Sequence, residues 1–184
     1  VRCGHMVVDP FENLYFARRK ENKEWEIIMW TLSKSGGSTL HETADTVHYL
    51  AYEPKQHLLY FAATAAADGH SYIAWLAIAD PSPRVMLTDP GIAAVDFRDG
   101  HLYVARRSQR DVVRVPVSRQ LRRRTTAVEQ LLDDGVAQRV AQLELPPVSL
   151  TFDNAVKNMY VLSHGQLPEP ADDTPHCADA IPHA

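Results

Sequence analysis

Two copies of the tripeptide Ala-Arg-Arg, Ala17-Arg18-Arg19 and Ala105-Arg106-Arg107, are the residues best suited to hold a ligand. Each copy begins two residues after a tyrosine, Tyr15 or Tyr103, so a repeated structure would set both pairs at equivalent positions on one face. Guanidinium groups gathered there would bind a planar or carboxylated anion, because arginine donates through two parallel N–H bonds and stacks on aromatic faces. His70 falls in the equivalent segment after Tyr60, and His48 enters that repeat from the same side. The predicted ligand set is therefore Arg18, Arg19, Arg106 and Arg107 for charge, with His48 and His70 for orientation. Long charged side chains also decorate exposed loops, and that alternative stays open for each arginine.

No sequence signal marks an activated nucleophile. The chain has no Gly-x-Ser-x-Gly turn, His-Glu-x-x-His helix or glycine-rich phosphate loop, so no catalytic residue and no cofactor is expected. A calcium-dependent hydrolase would need isolated acid and amide ligands, for which Glu53, Asp153 and Asn154 are the candidates. Each of these also has a structural reading. His176, Cys177 and His183 match no standard metal spacing, and no metal site is expected.

These residues sit within a phrase that occurs four times: an acid, then leucine or methionine followed by tyrosine six or seven positions later. It reads Asp9…Leu14-Tyr15, Glu53…Leu59-Tyr60, Asp96…Leu102-Tyr103 and Asp153…Met159-Tyr160. The tyrosines are about 45, 43 and 57 residues apart, close to the roughly 40–50-residue period of propeller blades. Each phrase predicts a hairpin, with its turn at Pro10–Asn13, Pro54–His57, Arg98–His101 or Asn154–Asn158. Third strands are predicted over 25–32, 71–78 and 111–117, where β-branched and aromatic residues dominate. Fourth strands are predicted near 37–41 and 84–88. The tyrosines are read as packing between repeats, and the acids as acceptors of backbone hydrogen bonds in the turns.

The expected fold is all-β: a β-propeller of four-stranded antiparallel blades, about four in this chain, near 1–45, 46–90, 91–145 and 146–164. Such blades either close a ring of four or form part of a six-bladed ring. The proline- and acid-rich segment 165–184 is expected to be a disordered tail. The long third interval predicts a short helix from Thr126 to Gly135, with a threonine cap and a glycine stop. Arg119, Arg122, Arg123 and Arg124 before it read as a solvated insertion, with an anionic partner as the alternative.

A net charge of −4 argues against nucleic acid as a partner. No apolar run approaches the ~20 residues of a membrane-spanning helix, so no membrane partner is expected and the chain is read as a monomer. Cys3 and Cys177, near the two ends, would join the first and last blades in an oxidising compartment, and two free thiols are the alternative. The chain begins at Val1 with no charged-then-apolar leader, so a secretory signal is expected to have been removed.

The phrases VVDPFENLYFARRKENKEWEIIMWTL, LAYEPKQHLLYFA, VDFRDGHLYVA and LTFDNAVKNMYVL resemble the insect ommochrome-binding proteins across residues 6–164. Related phrases occur in the NHL, YWTD and SMP-30-like propellers. The resemblance implies a secreted, non-enzymatic carrier whose partner is a small planar aromatic anion, a tryptophan-derived pigment. The alternatives are a calcium-dependent lactonase of the SMP-30-like group and a receptor-type propeller that binds protein.

Overall fold

The structure, a computed structural model, describes residues 2–33, 36–153 and 158–163, with side chains described from His5 onward. The Cys3–Cys177 pairing, the Asn154–Lys157 part of the last turn and the 165–184 tail lie outside the described residues.

Four antiparallel meanders follow one another along the chain. Blade 1 comprises β1 (Arg2–Val8), β2 (Asn13–Arg19), β3 (Trp25–Thr31) and β4 (Gly37–Thr43). Blade 2 comprises β5 (Thr46–Glu53), β6 (Leu58–Thr64), β7 (Ser71–Ala77) and β8 (Asp80–Asp89). Blade 3 begins with β9 (Ile92–Arg98), β10 (His101–Arg106) and β11 (Asp111–Pro116). An excursion through β12 (Thr126–Ala127) and α1 (Val128–Asp133) precedes the outer strand of that blade, β13 (Gln138–Gln142). The described part of blade 4 is the hairpin of β14 (Pro147–Phe152) and β15 (Met159–Ser163). The first strands pack side by side, β1 on β5, β5 on β9 and β9 on β14, so they form the hub.

The turn into each second strand shows why the repeat is regular. The residue three before the tyrosine takes a left-handed conformation in each of the first three blades: Glu12 at φ 62°, His57 at 52° and Gly100 at 76°. Such a backbone reverses the chain tightly, and only Gly100 adopts it without strain from a Cβ. In blade 1 the acid secures the turn. Asp9 accepts hydrogen bonds from the Phe11 and Asn13 backbone N–H groups at 2.8 and 2.9 Å, and from Asn13 Nδ2 at 2.8 Å.

The second role of the acid is the tyrosine itself. Tyr15 Oη donates to Asp9 at 2.9 Å and Tyr60 Oη donates to Glu53 at 2.6 Å. The acid and tyrosine stand six and seven residues apart because the hairpin brings the end of one strand beside the next. Burial pushes the Tyr15 and Tyr60 pKa values well up, and their bonds to the carboxylates push in the same direction. The clasp is missing from blade 3, where Asp96 instead accepts the Phe97 backbone N–H at 2.7 Å. Tyr103 there is half-buried and meets the Phe152 ring edge-on at 4.6 Å. Tyr160 is 52% exposed, so the core role read for all four tyrosines is complete only in the first two blades.

Strand alternation divides each blade between its neighbours. Leu59 and Phe61, flanking Tyr60, pack with Tyr15, Ala17 and Ile27 of blade 1. Tyr60 and Ala62 point the other way and pack with Val95, Leu102 and Val104 of blade 3. Each blade thus contributes one half of two successive cores, which is why a single meander has no stable core of its own.

The excursion differs from its sequence reading in two respects. The helix forms, but Ala127 rather than a threonine precedes it, with no side-chain cap. Thr126 is committed elsewhere, running parallel to β8 opposite Leu87. The arginine cluster is not uniformly solvated either. Arg122 is 9% exposed and donates to Gln56 at 2.6 Å and to Glu53 and Tyr60 at 3.4 Å, bolting the excursion onto the blade 2 clasp.

Replacing Tyr60 by Phe removes one bond from a buried carboxylate and is expected to cost about 1–3 kcal/mol. Tyr160→Phe, on an exposed ring, should stay within about 0.5 kcal/mol of the parent. Urea unfolding of the two variants measures the difference.

Candidate functional site

The two Ala-Arg-Arg copies occupy equivalent strand ends, and in both the first arginine is engaged in an ion pair. Arg18 opposes Glu26 across β2 and β3, donating to its carboxylate at 2.8 Å from Nε and 2.5 Å from Nη2. Arg106 opposes Asp111 across β10 and β11, donating to it at 2.8 Å from Nε and 2.6 Å from Nη2. The signal for this was the acid on the following strand. Unequal loop lengths hid it, because Glu26 follows Arg18 by eight residues and Asp111 follows Arg106 by five.

Arg106 goes further and is fully buried. Its Nη1 also donates to Asp89 at 3.2 Å and to Glu129 of α1, while Arg139 Nε donates to Asp111 at 2.7 Å. Burial opposes the charge of Arg106, but the bonds to Asp111 and Glu129 outweigh it and raise the pKa, so the guanidinium is always charged. Arg106 therefore does not stand at a mouth, in contrast to its predicted role.

Arg107 is the residue of the set that reaches solvent beside a cleft. Adjacent strand residues point to opposite sides, so burying Arg106 turns Arg107 outward. A cleft of about 350 Å³ lies between blades 2 and 3, walled by His48, Tyr49, Thr64, Pro90, Gly91 and Arg107 among others. His48 Nε2 and Thr64 Oγ1 share a hydrogen bond of 2.8 Å, and Thr64 Oγ1 lies 3.3 Å from Ser71 Oγ. Tyr49 Oη donates to the Val148 carbonyl at 2.7 Å, holding that wall. The floor is set by Asp89, which accepts the Gly91 backbone N–H at 3.0 Å, while the Gly91 carbonyl accepts the Arg107 N–H at 2.7 Å.

Burial lowers the pKa of His48, and the positive charge of Arg107 lowers it further, so the ring is neutral at neutral pH. The cleft thus offers a guanidinium with no ion pair among the described residues, a neutral imidazole, hydroxyls and an aromatic wall. Arg18 and Arg19 stand apart, lining a shallow depression on the rim of blade 1 with Lys20 and Glu21. His70 is exposed on the loop between β6 and β7, outside the cleft lining. The structure brings together His48 and Arg107, but not the whole predicted set. Tyr49, Thr64 and Gly91 carried no motif that could have identified them. Among the described residues no group of three or more His, Cys, Asp and Glu is arranged to hold a metal ion. No described helix is long and apolar enough to cross a membrane.

No protein-family model and no curated protein matches the chain. Solved structures do resemble it. A putative oxidoreductase (glucose dehydrogenase) from Thermus thermophilus aligns with a TM-score of 0.60 at 16% identity, over 89% of this chain and 58% of that one. A chain of the nidogen/laminin complex aligns at 0.50 and 17% identity, over 63% and 43%. The WD40 β-propeller domain of Doa1 aligns at 0.48 and 14%, over 60% and 36%. The chain spans between 36% and 58% of the length of these structures. With its meanders ranged about a hub of first strands, it is a β-propeller.

Arg106→Ala would leave Asp89 buried without its cation and Asp111 with Arg139 alone, and is expected to destabilise the fold by about 3–5 kcal/mol. The shift in denaturant midpoint reads this directly. A second expectation concerns pH. Burial lowers the pKa values of His5, His41 and His48 from 6.5 in the folded chain. The unfolded chain therefore binds more protons below that value, so this stability is complete above pH 6.5 and falls on acidification. Asp96, raised by burial, acts in the opposite sense at lower pH. The melting temperature is expected to drop between about pH 7 and pH 5.5, and His48→Gln to flatten that slope.

Proposed function

We propose that the chain is a non-enzymatic binding propeller for a small planar aromatic anion, held in the cleft between blades 2 and 3. The observation that carries this reading is Arg107, whose guanidinium faces solvent with no carboxylate partner among the described residues, beside an aromatic and apolar wall. Every other arginine of the predicted set is paired, buried or displaced from the cleft. Arg107 would donate to a carboxylate or phenolate of the ligand, Tyr49 would offer its ring, and His48 would fix the orientation through its remaining nitrogen.

The resemblance to the ommochrome-binding proteins supplies the ligand class, a tryptophan-derived pigment, and a secreted setting. Anion binding also carries a pH signature. A negative ligand would counter the effect of Arg107 on His48 and favour its protonated form, so affinity should rise on acidification through the range in which His48 titrates, which burial sets below its ordinary value.

Titration with a xanthommatin-like pigment is expected to produce a visible spectral shift. Arg107→Ala should weaken binding by roughly tenfold or more, since a charged hydrogen bond contributes about 1.5–3 kcal/mol, whereas Arg18→Ala should leave it unchanged. Unaltered affinity in the Arg107 variant would remove this site. Turnover of a lactone panel by the parent chain would replace the carrier reading with the hydrolytic one.

A further inference from the structure

The excursion that leaves blade 3 after β11 does more than bridge two strands, because it lays arginines across the end of blade 2 remote from the cleft. A single turn of 3-10 helix at Leu121–Arg123 packs on β8. Trp75 Nε1 of β7 donates to the Arg122 carbonyl at 3.2 Å, and Thr125 Oγ1 donates to the Val85 carbonyl at 3.1 Å. These bonds fix the segment to the blade.

A cavity of about 420 Å³ lies between the two, walled by Gln56, Trp75, Arg84, Arg119, Arg122 and Arg123 among others. It is separate from the cleft. Thr64 and Ser71, paired at one end of β6 and β7, line the cleft, whereas Leu58 and Trp75, towards the other end, line this cavity.

Four guanidinium groups converge here with no carboxylate in the lining, although the chain as a whole carries a net charge of −4. Glu53 answers Arg122 alone, at 3.4 Å. Arg122 Nη2 also donates to Gln56 Oε1 at 2.6 Å, and Gln56 Nε2 donates to Glu53 at 2.8 Å, so the buried guanidinium is held in place from behind. Arg84, set opposite Trp75 by the register of β7 and β8, lies 5.6 Å from the centre of its ring, and Arg122 lies 5.9 Å from it. Arg84, Arg119 and Arg123 are exposed and form no ion pair among the described residues.

Like charges held this close repel, and an anion with many acceptor oxygens relieves the repulsion while each guanidinium donates through its paired N–H groups. One carboxylate offers only two oxygens. A phosphate or diphosphate group offers more charge and more acceptors, and the volume suits a small molecule. We propose that this cavity is a second ligand site, for the phosphate or diphosphate group of a small solute, built by the excursion and independent of the cleft.

Calorimetric titration of the full chain with inorganic pyrophosphate at low ionic strength tests this. One saturable site per chain is expected. Arg119→Gln and Arg123→Gln, both on exposed side chains, should each weaken binding roughly tenfold or more. Arg124→Gln removes the same charge from the same segment but outside the lining, and should leave the affinity near that of the parent. Arg107→Ala, at the cleft, should also leave it unaltered. Vesicles containing a phosphatidylinositol phosphate should not sediment the chain. Absence of saturable binding, equal weakening by Arg124→Gln, or loss in the Arg107 variant with the Arg119 and Arg123 variants unaffected would each overturn the proposal. Capture on the vesicles without competition by pyrophosphate would assign the phosphate to a lipid surface and overturn it too.

Discussion

The charge of Arg106 is the constraint from which the rest of this molecule follows. An isolated ion cannot be taken out of water without large cost, so a fully buried guanidinium must be matched by carboxylates. Asp89 comes from the last strand of blade 2, Asp111 from the third strand of blade 3 and Glu129 from the helix of the excursion. Satisfying one side chain therefore fixes the docking of two blades and of the segment inserted between the strands of the second. The free oxygen of Asp89 then holds the Gly91 turn, and that turn holds the Arg107 backbone. The cleft inherits its shape from a buried ion it never touches.

The acid–tyrosine clasp works at smaller range. Where Asp9 or Glu53 meets the hydroxyl of Tyr15 or Tyr60, the first two strands of a blade are locked at the turn, and the ring is free to serve as inter-blade packing. Arg122 adds a bond from outside the blade to the second clasp. In blade 3 the corresponding acid, Asp96, turns towards the hub cavity, and the clasp gives way to a ring contact with blade 4. Side-by-side rings continue the theme, with Tyr15 stacked on Tyr52 at 5.5 Å and Tyr60 on Phe97 at 5.7 Å.

In blade 3, neighbouring residues of one type reach opposite environments. Arg106 and Arg107 have the same side chain and adjacent positions, yet one is a structural ion and the other faces a cleft beside a neutral histidine. Blade 1 differs: the Arg18 side chain, bonded to Glu26, is 42% exposed, while Arg19 Nε is buried without a hydrogen-bond partner among the described residues. The repeated dipeptide therefore does not fix the environment of its arginines.

The repeat, its hairpins and the third strands were legible in the order of residues, because turn chemistry and two-residue alternation act over a few positions and leave a local trace. The all-β class and the radial stacking followed from the same pattern, since a meander apolar on both faces must be covered twice. The destination of each arginine was not legible. Which carboxylate reaches Arg18 or Arg106 depends on cross-strand register and on loops of unequal length, and Glu129 arrives from a helix 23 residues away. The cleft likewise combines residues from His48 to Val148, brought together only when blades dock. Local sequence determined the units. Packing between units decided which charges were buried and which were left exposed, because burial is a property of neighbours that adjacent residues do not specify.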